Sequence, residues 1–239
     1  MKRVALMQPY LYPYLGYFQL MHHADVWISH DDVQYTKGWC NKNRLWDGQQ
    51  PKHFSLPLKA ASSKALIKDR QLVDLKQFTR HQLADLHRVY RHHPFFDEVH
   101  GYLSALWQRE AEVSQLSAFL HHTLFDLARG LGLQCQFLVS SDTGWGGEHH
   151  AQDRVLAICE RAGASHYLNA PGGRALYDPQ AFEARGLQLG FLRPVLRPFP
   201  QARGGQADFG LSIIDTLFNL GFEQTRTEVT LGAIEWVTH

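Results

Sequence analysis

The chain has 239 residues, 44% of them hydrophobic and 20% charged, with a formal net charge of +1. That length allows one large α/β domain or a domain with an insertion, and the apolar share is enough for a real core. The basic excess of a nucleic-acid binder is missing, so a nucleic-acid partner is not expected from composition.

The first apolar run breaks at Pro9 and is too short for a signal-peptide core. No stretch approaches the roughly 18 apolar residues that cross a bilayer. A soluble, cytoplasmic protein with no membrane span is therefore expected. Cys40, Cys135 and Cys159 are odd in number and scattered, which points to reduced thiols. Three histidine pairs, His22-His23, His92-His93 and His121-His122, sit in helical patterns. Helical neighbours point about 100° apart, so these read as surface and helix-end residues rather than metal ligands.

In chain order, Arg3–Met7 reads as a buried strand, followed by a Pro- and Tyr-rich loop to Gly16, a short helix over Tyr17–Ala24 and a second strand over Val26–Ser29. This is the start of a βαβ unit. Arg44–Trp46 and His53–Leu58 flank Asp47-Gly48, a hairpin signal. From about Val73 to Gly132 the spacing is helical, with Ser114 as a candidate N-cap. The α/β pattern resumes with strands at Cys135–Val139, His166–Asn169 and Leu187–Leu192. A loop is expected over Ser140–Gly147 and a helix over Glu148–Ala162. Pro194–Gly205 reads as a loop, Leu211–Leu220 as a helix ending at Gly221, and Glu223–Val237 as a last helical stretch. The expected fold is α/β: one Rossmann-like domain with a mainly parallel sheet of about five strands, order reversal near the first strand, a core of 1–60 and 133–239, and a helical insertion at about 73–132.

Ligands of parallel sheets bind beyond the carboxyl ends of the strands, and four polar loops fall there. The first carries Gln8, Tyr10, Tyr14, Gly16 and Tyr17, with prolines that fix φ, a glycine that admits close approach, and a following helix N-terminus for an anion. An aromatic mini-core is the alternative. The second carries Asp31, Asp32, Gln34, Lys37, Asn41, Lys42, Asn43 and Arg44. The aspartates point to opposite sides if the strand persists, so one can hold an amine, a ribose hydroxyl or Mg²⁺ while the other caps structure. The lysines and arginine suit phosphate or carboxylate; a solvated salt-bridge loop is the alternative. Ser140 and Ser141 begin the third loop. Asn169, Gly172, Gly173 and Arg174 form the fourth, as an anion nest or an ordinary turn. The Gly144–Gly147 stretch reads as a lid carrying His149, or as a plain loop.

Gln8-Pro9-Tyr10, Pro13-Tyr14-Leu15-Gly16-Tyr17-Phe18, Asp31-Asp32-Val33-Gln34-Tyr35, Lys37 and Trp39 together resemble the N-terminal signature of the WbqC-like family. Asn41-Lys42-Asn43 stands where the family pattern has Asn-Arg-Asn, which keeps charge and loses bidentate geometry. Further likeness lies in Ser140-Ser141, His166-Tyr167-Leu168 and Leu211-Ser212-Ile213-Ile214-Asp215. A looser resemblance joins Tyr14-Leu15-Gly16-Tyr17 to the HxGH turn of HIGH-signature nucleotidyltransferases, with tyrosines in place of histidines.

The first resemblance implies a setting among surface-polysaccharide and amino-sugar genes. The expected function is a transferase or ligase acting on a nucleotide-linked amino sugar, forming an amide through an acyl-adenylate with ATP and Mg²⁺, or from an acyl-carrier or aminoacyl-tRNA donor. Asp31 or Asp32 would position the amine, and Lys37 and Lys42 would stabilise phosphate charge. The alternative is a non-catalytic sugar-nucleotide binding or assembly module.

Overall fold

Alternation along short apolar strands divides the core into two layers. In β1 (Arg3–Met7), Val4 and Leu6 join one cluster and Ala5 the other. In β2 (Val26–Ser29), Val26 and Ile28 go with the first and Trp27 with the second. Successive strand side chains point to opposite faces, so strands covered on both sides must be apolar throughout. The computed structural model describes residues 1–199 and 210–237; the Pro194–Gly205 loop reading lies partly outside these residues.

β5 (Gln136–Val139), β6 (His166–Asn169) and β7 (Gln188–Arg193) complete five parallel strands, and β8 (Ala233–Trp236) runs antiparallel to β7. The order is β5-β2-β1-β6-β7-β8. The chain steps outward from β1 through β2 to β5, then returns to the other side of β1 at β6. Order therefore reverses at β1, as expected, and the fold is a Rossmann-like α/β fold with a mostly parallel central sheet. All five parallel carboxyl ends face one edge.

Helices α1 (Leu15–His23), α2 (Leu75–Tyr90), α3 (Phe96–Arg109), α4 (Leu116–Gly130) and α8 (Ile213–Val229) share the Ala5–Trp27 layer, while α6 (Ala151–Arg161) and α7 (Pro179–Glu183) cover the opposite face. Trp107 and Phe119 are buried in this core, at 1% and 0% exposure, and offer no apolar docking face. His121, read as a surface residue, is buried as well. A two-stranded hairpin, β3 (Lys42–Trp46) with β4 (Pro51–Ser55), stands apart from the main sheet. Its turn is closed by Asp47, whose carboxylate accepts from the amides of Gln49 and Gln50 at 2.9 Å each.

Three expectations change. The Ser140–Gly147 loop begins with a one-turn helix, α5 (Ser140–Thr143), directly on the end of β5. The α4 N-cap is Gln115, not Ser114. The last helical stretch stops at Val229, and Ala233–Trp236 is a strand. The reason is Gly190 on β7: a Cβ there would stand 2.7 Å from Ile234 and Trp236, so the missing side chain makes room for the edge strand. Within α8, Gly221 adopts φ +68 and breaks the helical path where the sequence placed a helix end.

Candidate functional site

The Pro-Tyr loop after β1 is pinned from three directions at Tyr12. Its backbone is left-handed, with φ +44, and its side chain is buried. Trp107 Nε1 donates to its hydroxyl. Asn43 Nδ2 and Ser212 Oγ donate to its carbonyl at 2.7 and 2.9 Å. A strained residue persists only where surroundings over-determine it, and here helix α3, the hairpin and the cap of α8 do so. Asn43 also donates to the carbonyl of Leu11 and accepts from the amide of Arg44, so its amide is used within the fold rather than held for a ligand.

Tyr17, a candidate ligand-binding residue of the first loop, is a core residue instead. It is 4% exposed, packs edge-on against Trp27, and donates to the carbonyl of Gln8 at 3.0 Å. Gly16 has a different use as well. A Cβ there would meet the Tyr14 ring at 2.5 Å, so the close approach it permits is that of Tyr14.

The two aspartates meet. β2 ends at Ser29, so strand alternation does not carry through Asp31 and Asp32. Both reach Ser140 Oγ, Asp32 Oδ1 at 2.5 Å and Asp31 Oδ1 at 3.3 Å. Asp31 also accepts from the amide of Ser141 at 3.1 Å and from its hydroxyl at 2.9 Å. Asp32 takes an ion pair from Arg154 on α6, which also donates to its carbonyl. Burial pushes the Asp31 carboxyl above its ordinary range, against the Ser141 bonds. For Asp32 burial pulls the same way, but the Ser140 bond and the Arg154 charge outweigh it and hold the carboxyl low. His30 beside them is driven down to about 4, by burial first and then by Arg154. The sequence reading missed Arg154, although it lies one position before the inward Val155 and one turn before Ile158.

These acids do not suit a Mg²⁺ site, because a guanidinium already occupies Asp32 and serine donors occupy Asp31. They act as a clamp. The Asp31 carbonyl accepts from the amide of Lys68 at 2.9 Å, the Val33 carbonyl from Ile67, and Tyr35 donates back to Ala65. The clamp thus fixes the Val33–Tyr35 strip against the 3-10 turn Ile67–Asp69.

Beyond that strip lie two open clefts that share Gly38 and Lys42. One, of about 530 Å³, is lined by Tyr10, Tyr14, Trp39, Asn43, Arg44, His53 and Leu196. Trp39 is 53% exposed and lies 5.4 Å from the Tyr10 ring. The other, of about 960 Å³, carries Gln34, Lys37, Asn41, Lys59 and Arg70. No acidic side chain lines either cleft among the described residues. Asn41 is bound on both sides, accepting from Tyr35 at 2.6 Å and donating to Leu56 at 2.8 Å. Gln34 donates to Ser63. Lys37 is exposed at the rim.

The fourth loop does not join them. Asn169 is buried and bonded to Tyr167, Tyr177 and the amide of Ala170. A Cβ on Gly173 would meet Asn169 at 2.9 Å, and Gly172 sits in the same 3-10 turn, Pro171–Leu176. Arg174 pairs with Glu235 and covers the Phe191 ring at 4.8 Å. His149 is exposed, and its amide closes a turn onto Gly146. Gly146 itself packs on Arg154, where a Cβ would stand 3.1 Å from the side chain. Cys40 is buried, its thiol pushed up to about 12 by desolvation, which disfavours the thiolate at neutral pH. No helix of the described residues is long and apolar enough to cross a membrane.

No solved structure matches the chain. It is similar to an uncharacterised protein of Mycobacterium tuberculosis (strain ATCC 25618 / H37Rv), with 27% identity over 225 residues, covering 93% of this chain and 96% of that one. The profile of the WbqC-like protein family matches residues 8–227, a span that takes in the pinned loop, the aspartate clamp and most of the lining of both clefts, and the chain belongs to the WbqC-like protein family.

Proposed function

We propose that this protein is a transferase or ligase that forms an amide on a nucleotide-linked amino sugar. One observation carries the reading: an aromatic cleft and a cationic cleft, without acidic side chains among the described residues, adjoin at Lys42 and Gly38. A sugar nucleotide has matching parts, because its rings stack on aromatic faces and its diphosphate seeks cations. The setting that the family resemblance implies, surface-polysaccharide and amino-sugar assembly, fits the same ligand.

In the ATP-using version, a carboxylate donor attacks the α-phosphorus and pyrophosphate leaves. The sugar amine then attacks the acyl carbon, AMP leaves, and the amine loses a proton. Lys42 and Lys37 stabilise phosphate charge. His53, on the rim of the aromatic cleft, takes the proton in this reading. Any Mg²⁺ would arrive with the nucleotide phosphates. With an aminoacyl-tRNA donor, the acyl group arrives as an ester and no adenylate is needed. Asp31 and Asp32 are positioning residues in either version.

A second reading, a module that binds a sugar nucleotide without converting it, is favoured by the saturation of both aspartates with internal donors. Incubation with ATP, candidate acids and amino-sugar nucleotides, followed by mass spectrometry, separates the two. An acylated sugar nucleotide supports the enzyme. Tight binding without any product across a broad panel supports the module.

A further inference from the structure

Arg70 follows the 3-10 turn that the aspartate clamp fixes, and it lines the larger cleft. It is only 8% exposed, yet no carboxylate pairs with it among the described residues. Nη2 donates to the Lys59 carbonyl at 3.1 Å, and the guanidinium lies 4.7 Å over the Tyr35 ring. Nε is buried without a partner. Arginine stays charged in proteins. A buried, unpaired charge is costly, and folds that keep one supply a counter-charge. The half-buried Arg154, by contrast, has such a partner in Asp32.

The cleft around Arg70 carries no acidic side chain among the described residues. Between Val33 and Gln71, eight lysines and arginines stand with only Asp47 and Asp69, in a chain whose net charge is +1. Lys37, Lys42 and Lys59 share the cleft with Arg70. The amides of Ala61, Ser62 and Ser63 on its wall donate to no acceptor among the described residues. Tyr35, whose face carries the guanidinium, is itself held by its hydrogen bond to Asn41. The arginine is therefore pre-positioned rather than free to swing out.

We infer that Arg70, with Lys42 and Lys37, forms a subsite for the diphosphate of a nucleoside diphosphate ligand. This rests on the proposed nucleotide-sugar reading for the identity of the ligand, but the missing counter-charge stands without it. A guanidinium with Nε unbonded keeps donor capacity for phosphate oxygens, and Lys42, common to both clefts, bridges from the phosphates toward the aromatic wall.

Calorimetry on the full chain with inorganic pyrophosphate, UDP and a single-stranded RNA oligonucleotide tests this. Wild type should bind pyrophosphate and UDP saturably. Arg70→Gln and Lys42→Ala should each weaken both by about tenfold or more, and Arg70→Lys should recover part of the loss. Should Arg70→Gln fail to fold, Lys42→Ala still decides, because that side chain is at the surface of the cleft. Three results overturn the inference: no binding of either phosphate by wild type, an equal loss from Arg161→Ala on the far helix α6, or RNA binding that UDP does not displace. UDP binding with no turnover on any substrate would sink the transferase reading and leave this subsite intact.

Discussion

Ser140 gives its hydroxyl proton to Asp32 across 2.5 Å, and this contact joins the ends of β2 and β5 across 108 residues of sequence. One hydroxyl proton cannot serve two carboxylates, so Asp31, 3.3 Å away on the same oxygen, depends on Ser141 instead. Replacing Ser140 by Ala should cost about 1–3 kcal/mol, since it leaves the part-buried Asp32 Oδ1 without its hydroxyl donor. Ser141→Ala keeps the backbone amide and should cost less. Urea unfolding of both variants checks the ranking; equal or negligible losses would show that the clamp is not holding the sheet edge.

The clamp also predicts a pH response. His30 and His121 are both held down to about 4, chiefly by burial. Unfolding restores an ordinary imidazole near 6.5. Between those values the unfolded chain binds protons that the folded chain refuses, so stability falls as pH drops from about 6.5 toward 4. Each histidine contributes at most about 1.4 kcal/mol per pH unit. His30→Asn should flatten the slope over this window. Denaturation midpoints at several pH values measure it, and an unchanged slope would contradict the assignment. Asp32 acts lower: its depressed carboxyl adds stability that is lost only as pH falls below the ordinary carboxylate range.

Trp39 should matter for ligand and not for folding. Its ring is half exposed beside Tyr10 at the cleft mouth. Trp39→Ala should weaken a sugar nucleotide by about tenfold, the scale of one lost stacking face, and shift stability by less than about 0.5 kcal/mol. Affinity that survives the substitution would remove the aromatic wall from the site.

Gly221 marks the fold rather than the site. Its φ is +68, and a Cβ added there would stand 2.5 Å from the Phe95 ring, so no side chain fits. Gly221→Ala should cost about 1–3 kcal/mol, read by thermal or urea unfolding. An unaffected midpoint would mean that the helix break is not required.

Much of this architecture is legible in the sequence. Val4–Leu6 and Val26–Ile28 are apolar on both faces because helices cover both, and such runs announce parallel strands directly. The edge strand Ala233–Trp236 is not legible, because its place depends on the absence of a side chain at Gly190, more than forty residues earlier. The site divides in the same way. The Pro-Tyr loop and the Asp31–Arg44 segment stand out by composition, and Tyr10, Tyr14, Lys37, Lys42 and Arg44 do line the clefts. Strand alternation carried through Asp31 and Asp32 puts them on opposite sides, but the strand ends at Ser29 and the two converge. Arg70 has no local signal at all, since its burial comes from Tyr35 and Lys59, which only tertiary structure brings to it.

The central claim is that the joined clefts hold a nucleotide-linked amino sugar, and a crystal structure of the protein with a UDP-linked amino sugar tests it most directly. The account predicts the diphosphate within hydrogen-bond reach of Arg70 and Lys42, the rings against Trp39 and Tyr10, and the amine toward His53. Density for the ligand at the Gly172-Gly173 turn or on Asp31 and Asp32, with both clefts empty, would contradict it.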